Sequence, residues 1–503
     1  MAVVEQAGAW DVFEQFERDV NHLGHVGGLL EWDEQVNMPP RGASARGEAK
    51  ATLAGLLHER ICDERFGEAI SELGDDGGLG DFKRARVREA RRERDRAVKV
   101  PSALVRELAL AESAGFEAWQ LARAEKDFSL FQKQLERLVS LRREEADAVG
   151  YEGGERYDAL LDQYEPDMRV ARLEPLLDGL RAELVPFVQE IAARPRPDDA
   201  FVHRHYPALA QRAVGAKLAA AIGFDFSAGR LDEAAHPFAA GFAPGDVRLT
   251  TREHEDDLFA GLFAVLHEAG HGLYEQGLTG DIEGTFCGNA TSLGLHESQS
   301  RFWENMVGRS PAFWARHMPE VEAAFPEQLA GVSLEQFVRA ANLVEPSLIR
   351  VEADEVTYHL HVYLRFELEL ALVRGELAPG DAPAAWNERM RALVGIEPPD
   401  DGVGVLQDVH WSAGLIGYFP TYTLGTLYSA QFLEAIEREL GPIDPIVRAG
   451  ETDRLLAWLR KHVHSRGALV APEEIARDAT GEELGHAAFM RYLRAKYGEL
   501  YSL

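Results

Sequence analysis

Lysine is nearly missing from this chain of 503 residues: eight of its 53 basic residues are lysine. Against them stand 84 Asp and Glu, giving a formal net charge of −31. A surface this acidic repels phosphate backbones and anionic headgroups, which excludes nucleic acid and acidic membranes as partners. It suits a well-hydrated surface of the kind a high-salt cytoplasm selects, although GC-rich coding would also favour Arg over Lys. Cysteine is as scarce. Cys62 and Cys287 cannot make a disulfide framework, and Cys287 reads as a small buried hydrophobe. No run approaches the about 18 apolar residues of a membrane span. The first residues, with Glu5 and Asp11, lack the basic region and apolar core of a signal peptide. These absences together predict a cytoplasmic protein. Long Pro/Gly/Ser linkers, internal repeats and low-complexity tracts are missing too. The breaks at Gly74–Asp81, Arg194–Asp199 and Glu397–Gly402 read as surface loops, so one unit spanning 1–503 is expected in place of several domains.

Helical patterning fills most of the chain. Pro101–Arg123, Lys126–Val149 and Glu355–Arg374 scan as amphipathic helices. Lys83–Arg96, with acids interleaved among its arginines, reads as an exposed helix carrying charge ladders. Strand signals are few and lie just before residue 258. The fold class is therefore mainly α: a large helical unit with a small β-sheet beside a deep central cleft.

The strongest chemical signal is His267-Glu268-Ala269-Gly270-His271. A helix turns once per about 3.6 residues, so histidines four apart stack on one face and can share one metal ion. Glu268 lies about 100° further round, placed to handle water without being a ligand. Asp256 and Asp257 favour a helix start, Leu258, Phe259, Leu262, Phe263, Val265 and Leu266 make a buried apolar run, and Gly277 is a stop. Burying two histidines and a glutamate without partners would be costly, and a metal removes that cost.

A catalytic zinc needs a third protein ligand and one open position. Tyr274 and Gly277 stand where the three-histidine class has glycine and histidine, which excludes that class. Glu275 is one turn from His271 on the same helix and cannot easily swing back. Asp281 and Glu283 lie in a Gly-rich connection where solvated carboxylates are expected. Glu297, in Leu293-Gly294-Leu295-His296-Glu297-Ser298-Gln299-Ser300 ahead of Phe302-Trp303, would reach the metal from a second helix packed on the first. It is the first candidate, with His296 behind it.

Here the chain resembles the carboxypeptidase Taq family of metallocarboxypeptidases. His-Glu-x-x-His followed by His296-Glu297-Ser298-Gln299 carries the resemblance. His236-Pro237-Phe238 and Asp246-Val247-Arg248-Leu249-Thr250 precede it in the right order. Ile349-Arg350-Val351-Glu352-Ala353-Asp354 and Gly404-Val405-Leu406-Gln407-Asp408-Val409-His410-Trp411 follow. The first 230 residues carry no motif that can be assigned. The resemblance implies a zinc ion (cobalt or manganese as substitutes), peptide substrates with a free C-terminus, and a homodimer.

Each remaining motif has two readings. Phe238 to Thr250 forms a short hairpin turned by Gly241, Pro244 and Gly245, and an edge strand beside the cleft would let substrate backbone pair with it. His236 is then a donor to a substrate carbonyl or amide, or simply a loop histidine. Arg248 is a substrate anchor or a local ion pair with Asp246. Arg350, among Glu352, Asp354 and Glu355, makes a solvated salt-bridge ladder or binds the terminal carboxylate bidentately. The family's positive groove makes Arg350 the first choice of anchor and Arg248 the second. His410 followed by Tyr422 resembles the arrangement in angiotensin-converting enzymes, where both donate to the tetrahedral intermediate. Thr426-Leu427-Tyr428 sets that register, with Tyr418 as the competing tyrosine.

The expected activity is zinc-dependent release of single residues from peptide C-termini, with broad specificity. Glu268 is the base, and His410 and Tyr422 are the oxyanion donors. An oligopeptidase or dipeptidyl carboxypeptidase would use the same zinc site. A non-catalytic metal-stabilised peptide-binding scaffold is the different-class rival, against which the intact Glu268 speaks.

Overall fold

The computed structural model describes residues 8–503, so the leader reading at Glu5 lies outside the described residues. The chain is mainly helical, with three short strands before the His267 helix. The predicted helices appear as Ser102–Glu125, Ser129–Val149 and Tyr358–Arg374. Their starts and ends are set by backbone devices. Lys126 takes a left-handed φ of 58°, which closes the first helix and delays the second to Ser129. The Asp354 carboxylate accepts from the backbone of Val356 and Thr357, so a turn precedes Tyr358.

The helix Asp81–Lys99 departs from the fully exposed reading. Ala85, Val87 and Ala90 are buried, and Arg86 turns inward to the buried Glu17. Glu17 also accepts from the backbone of Phe286, tying the N-terminal helix Ala9–Val36 to the core. These elements share a small cluster with Phe13, Phe16 and Phe66, while a much larger one runs from Ala85 to Tyr501.

Strands β1 (Gly229–Glu233), β2 (Ala239–Ala243) and β3 (Asp246–Thr251) form one sheet in the order β1-β3-β2. The expected hairpin is β2–β3, turned at Pro244-Gly245 with an irregularity between Gly241 and Ala243. β1 pairs parallel to β3, a partner the sequence pattern did not announce. Val247 and Leu249 are fully buried on the inner face, and β2 and β3 pack on the helix Leu258–Glu275. That helix begins as predicted: the Asp257 carboxylate accepts from Phe259 and Ala260 backbone N–H at 2.9 and 3.0 Å. It ends two residues before Gly277. Both cysteines are free; Cys287 is buried, and burial pushes its thiol up to about 12. Among the described residues no helix is long and apolar enough to cross a membrane.

Candidate active site

His267 and His271 project from one face of the Leu258–Glu275 helix toward Glu297 on the helix Leu293–Arg301. Glu297 Oε2 lies 3.5 Å from His267 Nε2 and 3.3 Å from His271 Nε2, and the three ligand atoms fall within 4.8 Å of one another. In a tetrahedral zinc site with bonds of about 2.0–2.1 Å, ligand atoms sit about 3.4 Å apart. The donor set therefore fits a divalent metal.

Each ligand is held from behind. His267 Nδ1 donates to Glu304 Oε2 at 2.9 Å, and His271 Nδ1 donates to the His296 carbonyl at 3.1 Å, which leaves both Nε2 atoms free for the metal. Arg301 Nε donates to Glu297 Oε1 at 2.6 Å, leaving Oε2 toward the histidines. The His296 ring stacks on His271 with centroids 4.4 Å apart, and its Nε2 meets Glu275 Oε1 at 2.8 Å. His296 and Glu275 thus pair beside the cluster and stand outside the group of three whose ligand atoms converge. Asp281 and Glu283 lie exposed in their loop.

Two glycines bring the helices this close. A Cβ on Gly270 would stand 2.6 Å from the Gln299 carbonyl oxygen; one on Gly425 would stand 2.6 Å from Glu297 Cβ. The Glu297 helix is thereby wedged between the His267 helix and the helix Pro420–Leu440, which carries Tyr422. It runs on into a π-helical turn, Phe302–Gly308, that supplies Glu304.

Burial and neighbouring charge set the site's protonation. Burial lifts Glu268 to about 7, with His267 pulling the other way. Burial lowers His271 to about 3, helped by His296. Burial also acts against His267⁺, but the Glu297 and Glu304 carboxylates outweigh it and bring that histidine to about 10, so a metal would displace the proton that Nε2 otherwise shares with Glu297. Burial disfavours the Glu297 anion, yet Arg301 and His267 hold it well below the usual carboxylate range.

His410 Nε2 and the Tyr422 hydroxyl are 3.1 Å apart. Burial, then Arg350, lowers His410 to about 3, so its imidazole is neutral. The Tyr418 ring stands 5.4 Å from both His410 and Tyr422. The segment carrying His410 is tied down by the fully buried Glu369, which accepts from Trp411 Nε1, Gly417 N and the Tyr157 hydroxyl at 2.9, 3.1 and 2.8 Å.

Arg350 makes no local ladder. It is buried, with Nε and one terminal nitrogen on Asp408 Oδ1 at 3.1 and 2.9 Å and the other on the Tyr358 hydroxyl at 2.8 Å. Glu355 pairs with Lys496 instead, at 2.7 Å. Arg350 lies 4.9 Å from the Tyr422 ring centre, inside the tyrosine cluster. Arg248 is elsewhere: it pairs with Asp246 at 2.9 Å and stacks over Trp32 of the N-terminal helix at 4.2 Å. His236 is exposed between β1 and β2, where its carbonyl accepts from the Thr250 hydroxyl at 3.4 Å. None of these polar contacts is with His267, His271 or Glu297.

Sequence reading missed Glu304, Arg301, Tyr358 and Glu369. Arg301 was within reach, since it stands four residues after Glu297 on the same helix. Glu304 had a weaker signal in its seven-residue offset. Glu369 had none, because its donors come from two distant segments.

The sequence model of the family described as carboxypeptidase Taq (M32) metallopeptidase matches residues 12–497. The chain is 46% identical over 499 residues to thermostable carboxypeptidase 1 of Thermus thermophilus, covering 97% of this chain and 98% of that protein. It is 37% identical over 496 residues to carboxypeptidase 1 of Bacillus subtilis, with 98% of each covered. Among solved structures, the M32 carboxypeptidase from Deinococcus radiodurans R1 superposes with a TM-score of 0.96 at 37% identity, covering 98% of this chain and all of that one. The carboxypeptidase of Pyrococcus furiosus gives 0.95 at 36% identity, with 98% and 100% covered. This chain, with its paired histidines, Glu297 and Glu268 in one buried cluster, belongs to the carboxypeptidase Taq (M32) family of metallopeptidases.

Proposed function

We propose that this metallocarboxypeptidase removes single residues from the free C-terminus of peptides, with broad specificity, using zinc held by His267, His271 and Glu297. Cobalt and manganese are its substitutes. The observation that carries the reading is the approach of Glu297 Oε2 to both histidine Nε2 atoms at 3.3 and 3.5 Å, with Glu268 intact beside them. When bound, the ion supplies Lewis acidity toward the scissile carbonyl and toward water.

Glu268, near neutrality, takes a proton from the attacking water and returns it to the departing amine. The C–O bond forms first, giving a tetrahedral oxyanion, and its collapse breaks the C–N bond, so water and peptide give a shortened peptide and one free amino acid. His410 Nε2–H and the Tyr422 hydroxyl donate to the developing oxyanion, and Tyr418 lines the same side. Arg350 retains two N–H groups beyond those given to Asp408 and Tyr358, and these receive the terminal carboxylate. Arg248 is the alternative anchor, and His236 the donor to the substrate backbone beside β2. Arg350→Ala should lower kcat/KM about 100-fold on free-acid peptides and far less on C-terminally amidated ones; equal losses on both would remove it as anchor.

A single catalytic unit over 1–503, a homodimer and a cytoplasmic address complete the proposal. The hydrophobic cluster from Ala85 to Tyr501 supports the first, the family resemblance the second, and the two free cysteines the third. Light scattering reads the oligomeric state.

The deciding experiment is mass spectrometry of a ten-residue free-acid peptide incubated with the protein, with and without chelator and added zinc. A ladder of single C-terminal losses that chelation stops and zinc restores is expected. Internal or two-residue cuts would move the assignment to an oligopeptidase or dipeptidyl carboxypeptidase. Bound metal without cleavage would leave a peptide-binding scaffold.

A further inference from the structure

Tyr358 opens the helix Tyr358–Arg374 and is 5% exposed. Its two ends do different work. The ring face carries the Arg301 guanidinium at 4.4 Å, and Arg301 in turn holds Glu297 Oε1 at 2.6 Å. The hydroxyl accepts from Arg350 at 2.8 Å. One side chain therefore touches the arginine behind the metal ligand and the arginine beside the oxyanion donors.

We propose that Tyr358 is a positioning residue that sets the two halves of the site separately. Through its ring it fixes the plane of Arg301, a largely buried cation whose carboxylate partners are Glu297 and Glu304. A carboxylate can offer either oxygen to a metal. With Arg301 locked on Oε1, Glu297 offers Oε2, the atom that faces both histidines. Through its hydroxyl, Tyr358 fixes one terminal nitrogen of Arg350 while Asp408 fixes the opposite edge. The guanidinium is then pinned in rotation, with its remaining N–H groups held in one direction. This second half rests on the reading of Arg350 as the carboxylate anchor; the first half does not.

Two substitutions separate the halves. Tyr358→Phe keeps the ring and removes the hydroxyl. Its zinc dissociation constant, measured by chelator competition, should stay within about twofold of the parent, while KM on free-acid peptides rises about tenfold with kcat nearly unchanged. Tyr358→Leu removes both functions and should also weaken zinc binding by about 10–100-fold. If circular dichroism shows that the Leu variant does not fold, Tyr358→Met, similar in reach but without a π face, takes its place. Equal loss of zinc affinity in the Phe and Leu variants, or no loss in either, would overturn the ring's role. An unchanged KM in Tyr358→Phe would overturn the hydroxyl's role. Arg350→Ala run alongside keeps the readings apart: if it does not discriminate free-acid from amidated peptides, the anchor reading falls and takes the hydroxyl half with it, while the zinc contrast still decides the ring.

Discussion

His267 and His271 sit in the middle of an 18-residue helix, whereas His410 sits in a stretch between Leu393 and Pro420 that contains neither helix nor strand. The two histidine sets are held by different means. Helix periodicity alone fixes the first pair, and glycine contacts with neighbouring helices fix its distance to Glu297. Irregular segments longer than about 15 residues are uncommon in compact proteins unless they carry function. This one is pinned by side-chain acceptors: Glu369 reaches in to Trp411 and Gly417, and the segment's own Asp401 reaches out to the backbone N–H of Phe128 at 3.1 Å. A helix keeps its geometry by repeating one hydrogen bond, while the His410 segment depends on a few single ones. Damage to the two halves should therefore read out differently.

The largest expected effect is in the helical half. Glu268→Gln should retain stoichiometric zinc and lower kcat by at least about 10³-fold. Substantial residual turnover at full metal occupancy would remove Glu268 as the base. In the irregular half, Tyr422→Phe should likewise leave zinc in place and lower kcat by about 10²–10³-fold, with little change in KM. A comparable loss of bound metal would mean that the two halves are not separable.

Gly425→Ala tests their junction, because the new methyl would press on Glu297 Cβ from the helix that carries Tyr422. Zinc affinity should fall about 10–100-fold, with a stability loss of about 1–3 kcal/mol measured by denaturant unfolding. Wild-type zinc binding would show that the Glu297 helix can yield.

The smallest effect concerns pH. Glu165 accepts from Gly294 N at the start of the Glu297 helix and from the Tyr428 hydroxyl, at 3.1 and 2.8 Å. Burial raises it from 4.5 to about 7. The folded state thus holds this proton where the unfolded chain has released it, so Glu165's contribution is greatest below pH 4.5 and declines as pH rises through 7. The melting temperature of Glu165→Gln should fall below the parent's by more at pH 5 than at pH 7.5. A deficit that grows with pH would show that the carboxylate, not the acid, is the stabilising form.

What could be read from the sequence follows the same division. The spacing of His267 and His271, the cap at Asp257 and the β2–β3 turn are local, and each appeared where the residues placed it. Glu297 was reachable because a short helix after the connection has few alternatives. Arg350 shows where local reading ends: its near neighbours Glu352 and Glu355 suggested a surface ladder, while its actual partner Asp408 is 58 positions away. Glu369 draws its donors from Tyr157, Trp411 and Gly417, separations of 212, 42 and 48 residues that no single-chain periodicity encodes. β1 escaped notice for a similar reason, since its parallel register with β3 leaves no hairpin signal.

The wedged Glu297 helix has a consequence for how fast the protein can take up its metal. With Gly270 and Gly425 both at backbone distance, the helix has little room to rotate or slide, and Arg301 and Ser300 restrain the Glu297 side chain. The ligands then surrender little conformational entropy when an ion arrives, because most was lost on folding. Uptake after chelation should be governed by diffusion and by stripping water from the ion, on a timescale well ahead of any refolding of the chain.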